Sequence, residues 1–222
     1  MLRTIADGWF IVNGGRHMNI AVDRSVWLPL PEDFNPDTTE FFDGMWHDGN
    51  GVVLAFNSIG FDRFLYPLLS DELEVRNYYR DLFAPDDIGL VECNVLEENG
   101  ERFVKAIGKH TTDEGCSSYL GTLAIPLSDR SFVFSLHARE LGLTGYRAAT
   151  ILDKLIREGH SIELDPVTRQ IRGWAQDPYF PDYQGPCLRN LSEDEKFDHL
   201  FPEHPLTKVR FRINEIVDFV LS

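Results

Sequence analysis

The sequence predicts an α+β fold: an antiparallel sheet built around a four-strand meander, with flanking helices and a C-terminal extension ending in an amphipathic helix. Three observations carry this. Residues 88–137 hold four consecutive strand-like runs, IGLVECNVLEE, ERFVKAIGKH, SYLGTLAIPL and SFVFSLHA. Two of the three connections between them are tight turns, which join antiparallel neighbours, and no strand–helix–strand alternation is present. Apolar stripes at helical spacing stand before, directly after and well beyond this stretch.

Taken in order, residues 9–12 and 18–22 are short apolar runs around Asn13-Gly14-Gly15, which reads as an opening hairpin. Residues 26–30 continue as extended chain and end where Pro29 and Pro31 remove backbone donors. Residues 51–56 (GVVLAF) suit a buried strand. Ser70 is placed to cap a helix over residues 71–83, with Asp71, Glu72 and Glu74 where the helix dipole favours anions. Val75, Tyr78, Tyr79, Leu82 and Phe83 share one side of that helix, and Ala84-Pro85 ends it.

Within the meander, Glu98-Asn99-Gly100-Glu101 fits a type I′ hairpin, whose two central residues need positive φ. Leu127-Ser128-Asp129-Arg130 makes a second tight turn, and residues 111–116 a looser polar connection. Thr144 is the candidate cap of the next helix, over residues 146–157. Its stripe Ala148, Ile151, Leu152, Leu155 and Ile156 is expected to lie across the strands, and Gly159 stops it. The chain thus divides into a sheet domain over residues 1–158 and an extension over 159–222 packed on it. In the extension, residues 161–165 and 169–174 form a small hairpin, and residues 177–186 are irregular and anchored by aromatics. Ser192 and Glu195 have capping-box spacing for a short helix over 193–200. The last helix, over 206–221, carries Leu206, Val209, Ile213, Ile216, Val217 and Val220 on one stripe. Lys208, Arg210 and Arg212 lie near its start, where the dipole disfavours cations, so acidic groups of the body are expected to compensate them.

Composition narrows the function classes. The chain has 222 residues, 43% hydrophobic and 26% charged, with sixteen Phe and four Trp, enough to bury a core without staples. Thirty-six acidic residues against 21 basic ones give a formal net charge of −15. That opposes binding to nucleic-acid phosphates, which Lys and Arg drive by displacing counterions, and docking on anionic lipid. It favours solubility and fast encounter with a basic partner. Cys93, Cys116 and Cys187 are odd in number and widely spaced, so neither a disulfide framework nor a cysteine zinc site is expected, and Cys93 reads as a buried small hydrophobe. No signal region or membrane span is read, so the expected location is the cytoplasm. Oligomeric state is left open.

The first irregular stretch is also the most suggestive for binding. Between Ser25 and Asp62 there is no Lys or Arg. Glu32, Asp33, Asp37, Glu40, Asp43 and Asp48 alternate there with Phe34, Phe41, Phe42 and Trp46. One reading is a loop or short helix whose rings anchor it while the carboxylates face water. The other is a recognition loop, with rings for a partner's pockets and carboxylates for its basic residues.

No phosphate-binding, dinucleotide-binding, serine-hydrolase or zinc-protease motif occurs, and no cofactor or metal is expected. Gly142-Leu143-Thr144-Gly145 at a helix start lacks a supporting Lys and reads as a strand-to-helix turn. His199 and His204, with Asp198 and Glu203, are spaced for a solvated helix end better than for metal ligation. Ser135 and His137 fall on one face of one strand, but catalysis there needs an orienting acid and an oxyanion hole as well.

From about residue 22 to 157 the order is extended chain, strand, helix, four-strand meander, helix. This resembles the PsbP-like α+β fold, most of all in GTLAIPLSDRSFVFSLHARELGLTGYRAATILDKLI, and covers rather more than half of the chain. That fold also occurs in small bacterial proteins, including chaperones that accompany type VI secretion effectors, and is not tied to an enzymatic activity. The expected function is therefore protein binding without catalysis. The leading reading is an acidic immunity or inhibitor protein that neutralises a basic partner, a toxin or secreted effector, by occlusion. A chaperone sheltering an apolar segment on an open sheet face, and a hydrolase centred on Ser135 and His137, are the alternatives.

Overall fold

A computed structural model describes residues 2–4, 10–14, 17–21, 26–30, 42–98, 100–167 and 171–221. Strands β1 (Leu2–Thr4), β2 (Phe10–Gly14) and β3 (His17–Ala21) form a small antiparallel sheet. The opening hairpin is there, but Asn13 and Gly14 belong to its first strand, paired with Met18 and His17.

The main sheet has seven antiparallel strands: β4 (Leu28–Pro29), β5 (Gly44–His47), β6 (Val52–Gly60), β7 (Gly89–Glu98), β8 (Glu101–Thr111), β9 (Ser117–Pro126) and β10 (Arg130–Arg139). Their order is β4-β5-β6-β10-β9-β8-β7, so the meander supplies one side and the last meander strand receives β6. Strand β5 falls in the stretch expected to be loop or short helix, since four residues hold too few alternations to announce a strand.

Side-chain alternation gives the sheet two apolar faces. On one face stand Phe103 and Ile107 of β8, Leu123 of β9, Leu54 of β6, and Phe134 and Leu136 of β10. The final helix α4 (Pro205–Leu221) lies here, burying Leu206, Val209, Ile213 and Ile216 completely. Gly121 permits its approach: a Cβ there would come within 2.6 Å of both Val209 and Ile213. On the opposite face, Leu90, Cys93, Val104, Ala106 and Ala124 receive helices α1 (Leu65–Leu68) and α2 (Glu72–Phe83) through Leu65, Val75, Tyr79 and Phe83. Burial pushes the Cys93 thiol up to about 12, as befits a core residue. A bulge between Leu90 and Glu92 lets Val91 join the α4-side core while Glu92 reaches a residue of α4.

Helix α3 (Tyr146–Arg157) corrects an expectation. It lies not across the strands but against the extension: Ile151 and Leu155 pack with Phe197, Trp174 and Phe201. The sheet face is free for α4 because α3 leaves the sheet at its end. The capping expectations also shift by one or two residues. Asp71, not Ser70, caps α2, its carboxylate accepting from the Leu73 and Glu74 N–H groups at 3.0 and 3.3 Å. Gly145 at positive φ precedes α3 in place of Thr144. Asn190 and Glu193 form the capping box of a 3₁₀ turn over Leu191–Glu193, and Asp194 caps a second over Glu195–Leu200. Asp71, Asn190 and Asp194 cap because a side-chain oxygen of each reaches the second or third N–H of its helix, whereas Gly145 makes no side-chain cap and supplies the positive φ.

The rest of the extension follows the sequence reading. Strands β11 (Glu163–Leu164) and β12 (Ile171–Arg172) form the small hairpin. Residues 177–186 run over the outer edge of β7: the Cys93 N–H donates to the Tyr179 hydroxyl at 2.7 Å, and Arg76 and Arg80 of α2 stack on Tyr179 and Phe180. The exposed edge that would invite another strand is thus partly covered. No helix among the described residues is long and apolar enough to cross a membrane.

Candidate functional site

The extension is fastened by a belt of buried charge. Arg210 of α4 donates to Glu92 at 2.9 Å, to Asp198 at 3.0 Å and to the Glu193 carbonyl at 2.7 Å. Arg147 of α3 meets the same Asp198 at 2.8 Å and donates to the Ser192 carbonyl at 2.7 Å. Glu193 closes the belt onto the sheet, accepting from Lys109 at 3.0 Å and from the Tyr119 hydroxyl at 2.7 Å. Burial, and after it the Glu193 charge, pushes the Tyr119 hydroxyl well above its ordinary value. Burial alone would lower Arg210, but Glu92 and Asp198 outweigh it and hold the guanidinium charged. Of the cations near the start of α4, Arg212 meets Asp48 of the body at 3.0 Å and Arg210 meets Glu92 of the body, as expected, whereas Asp198 on Arg210 and Glu203 on Lys208 come from the extension itself.

Beside this belt lies a cleft of about 480 Å³, between the end of β10, the connection to α3 and the segment that starts α4. Its floor holds Glu140 and His204, 3.4 Å apart. Glu140 also accepts from the Ser117 N–H at 3.0 Å and the Gly145 N–H at 3.1 Å. Burial raises this carboxyl, but the bonds from His204, Ser117 and Gly145 win and hold it below the ordinary range. His204 is the cap of α4: its Nδ1 accepts from the Leu206 N–H at 3.2 Å, which leaves Nε2 to carry the proton toward Glu140. Both ring nitrogens and both carboxylate oxygens are thereby committed within the fold.

The rim differs in kind from the floor. Leu141, Leu143, Tyr146 and Leu200 are 68%, 76%, 56% and 49% exposed. Four large apolar side chains around one concavity form an apolar patch of the sort that marks contact surfaces.

The residues singled out in the sequence fall in different places. Glu32, Asp33, Phe34, Asp37, Glu40 and Phe41 lie outside the described residues. Trp46 packs half-buried against the α4-side core, and Phe42 is half-buried. Asp43 accepts from the Ser58 N–H at 2.6 Å. Asp48 accepts from the Asn50 and Val52 N–H groups at 2.8 and 3.0 Å while pairing with Arg212, and its side chain is 1% exposed. Both carboxylates hold the chain's own backbone. Ser135 and His137 share a face of β10, and neither side chain forms a hydrogen bond among the described residues; burial and then Arg139 push the His137 ring down. Of the other histidine and acid candidates, Asp198 serves two arginines, Glu203 pairs with Lys208 at 3.0 Å, and no metal-holding group of three occurs among the described residues.

The cleft itself was missed in the sequence. Its floor joins Glu140 to His204 across 64 residues, and only the doublet of exposed leucines in ELGLTG, apolar where a turn should be polar, marked it. Fold and site together define a class: an antiparallel α+β protein, helix-covered on both faces, with an apolar-rimmed cleft at one end of its sheet. Neither a family model nor a curated protein matches the chain.

Proposed function

We propose that the protein is a non-enzymatic, acidic protein-binding module of immunity or inhibitor type, acting in the cytoplasm, that neutralises a basic protein by covering it. One observation carries this reading: the charges buried among the described residues cancel and leave the acidic excess outside them. Lys105, Lys109, Arg147 and Arg210 are buried against Glu140, Asp177, Glu193 and the side chain of Asp48, so the net charge of −15 falls to the remaining residues. Such a surface repels phosphate and steers basic partners, and it leaves short-range affinity to apolar anchors. A toxin or a secreted effector with a basic surface is the partner class. The resemblance to the PsbP-like fold agrees with a role without chemistry.

The structure favours occlusion over the two alternatives. Sheltering an apolar segment calls for an open apolar sheet face, whereas α4 covers one face and α1 with α2 much of the other, and Asn57, Ser135 and His137 stand on the remainder. A hydrolase centred on His137 calls for an orienting acid, whereas the neighbour that acts on this ring is the cation Arg139.

The test is affinity capture with the full chain, followed by titration of the captured protein at low and at physiological salt. The expected result is a basic protein whose affinity falls steeply with salt and whose own activity is lost in the complex. An acidic partner, or affinity indifferent to salt, overturns the proposal.

A further inference from the structure

The cleft stands at the end of the sheet where four connections meet. Strand pairing fixes this: Ala138 lies opposite Val52, Arg139 opposite Ser118, Thr111 opposite Ser117, and Lys109 opposite Gly89. The turn before β6, the β10–α3 connection, the β8–β9 turn and the entry to β7 therefore line up along one edge. Cys116 in the β8–β9 turn touches the Glu140 carbonyl at 3.5 Å, tying that turn to the cleft floor. The turns beyond the cleft are acidic. Asp113 and Glu114 stand in the β8–β9 turn and Asp86 and Asp87 before β7, all four exposed and none in an ion pair among the described residues. At the opposite end of the sheet Asp129 pairs with Arg130 and Glu97 with Arg102, which leaves Glu101 as an exposed acid without an ion pair among the described residues there.

Strands sit about 5 Å apart, so from β10 to β7 the acidic row extends roughly 15 Å from the cleft. That is the reach of about five residues of extended chain. We infer that this end of the molecule is a docking surface for a basic segment of a partner protein. An apolar side chain of the segment, leucine-sized or aromatic, seats among Leu141, Leu143, Tyr146 and Leu200, and its lysines or arginines lie along Asp113, Glu114, Asp86 and Asp87. Arg139 at the cleft repels a basic residue placed beside it, and Glu203, the exposed acid of the cleft, is paired with Lys208 at 3.0 Å, which favours the direction of the acidic row. The inference rests on the acidic-binder reading and adds a place and a partner chemistry to it.

The test is a nuclear magnetic resonance titration of the isotope-labelled full chain with two short amidated peptides, Leu-Phe-Lys-Lys-Lys and Ser-Gly-Lys-Lys-Lys. The first peptide is expected to shift resonances of the cleft and of the β8–β9 turn together, the second only those of the acidic turns and more weakly. Leu143→Asp is expected to weaken the first peptide at least about tenfold, the loss of one well-seated anchor. Because Leu143 is 76% exposed, this change leaves folding intact. Asp113→Asn with Glu114→Gln is expected to weaken both peptides and flatten their salt dependence. Phe64→Asp, 70% exposed on another part of the molecule, is expected to change nothing. Binding that survives Leu143→Asp, shifts confined to Phe64 and its surroundings, or no shift with either peptide overturns the docking surface. The broader reading stands or falls separately, on the salt dependence of the captured partner.

Discussion

Helices α2 and α4 close opposite faces of one sheet, the first with rings, methyl groups and a hydrogen bond from Arg76 to the Cys93 carbonyl, the second with methyl groups fenced by ion pairs to the sheet. Helix α2 ends at Phe83 and β7 begins at Gly89, so a connection of five residues already fixes where it lies. Helix α4 arrives from the far end of the chain, and no short connection positions it against β8 and β9. Its register is set instead by Arg210 reaching Glu92 and Asp198, by Lys105 reaching Asn214, and by Lys208 donating to the Asn50 carbonyl. An apolar stripe tolerates slippage; a buried charge that loses its partner does not. Buried ion pairs stand where connectivity leaves the packing undetermined.

The sharpest way to break this contrast is Arg210→Ala. It leaves Glu92 and Asp198 in a half-buried site with one cation fewer, and a loss of about 3–5 kcal/mol in unfolding free energy is expected from urea denaturation. A loss below about 1 kcal/mol would mean that the belt is ornamental and the stripe alone docks the helix. On the other face, Val75→Ala removes two methyl groups from a fully buried position, and about 2 kcal/mol is expected, with no change in salt or pH dependence. The third change has the smallest effect at neutral pH and shows itself in the pH profile. Glu140 is held below the ordinary carboxylate range, so its contribution is complete above that range and disappears as pH falls through the lowered value. In Glu140→Gln that part of the acid descent is expected to vanish while the remainder persists. An unchanged acid profile would show that the Glu140–His204 pair does not support the cleft.

Much of the architecture was legible because it is local. The strand alternation of residues 88–137, the stripe of α2 and the stripe of α4 are written in consecutive residues, and periodicity reads them directly. Strand β5 was not, because four residues with Trp46 and Met45 as their only large apolar side chains look like an aromatic loop. The position of α3 was not, because its stripe of Ile151 and Leu155 suits any apolar surface, and only the meeting with Phe197 and Trp174 selects one. The candidate site fared worst. The unpaired look of Asp48 in the sequence dissolves once Arg212, 164 residues away, is brought to it. Conversely, Asp86, Asp87, Asp113 and Glu114 read as ordinary wet turn residues until strand pairing sets their two turns side by side. Charge composition is visible in one dimension; which charges remain unspent is decided by contacts of long sequence separation.

The charges on the α4 face of β8 have a consequence during synthesis. The meander is complete once Arg139 is made, whereas α4 begins only at Pro205. In the interval Phe103, Ile107 and Leu123 form an uncovered apolar sheet face, the kind of surface on which nascent chains associate. Lys105 and Lys109 interrupt that face on β8, with the carboxylate of Glu92 on the neighbouring strand. Spaced charges of this kind act as gatekeepers against intermolecular pairing. The groups that lock the last helix into the finished fold are the ones that keep its empty seat unattractive to strangers until it arrives.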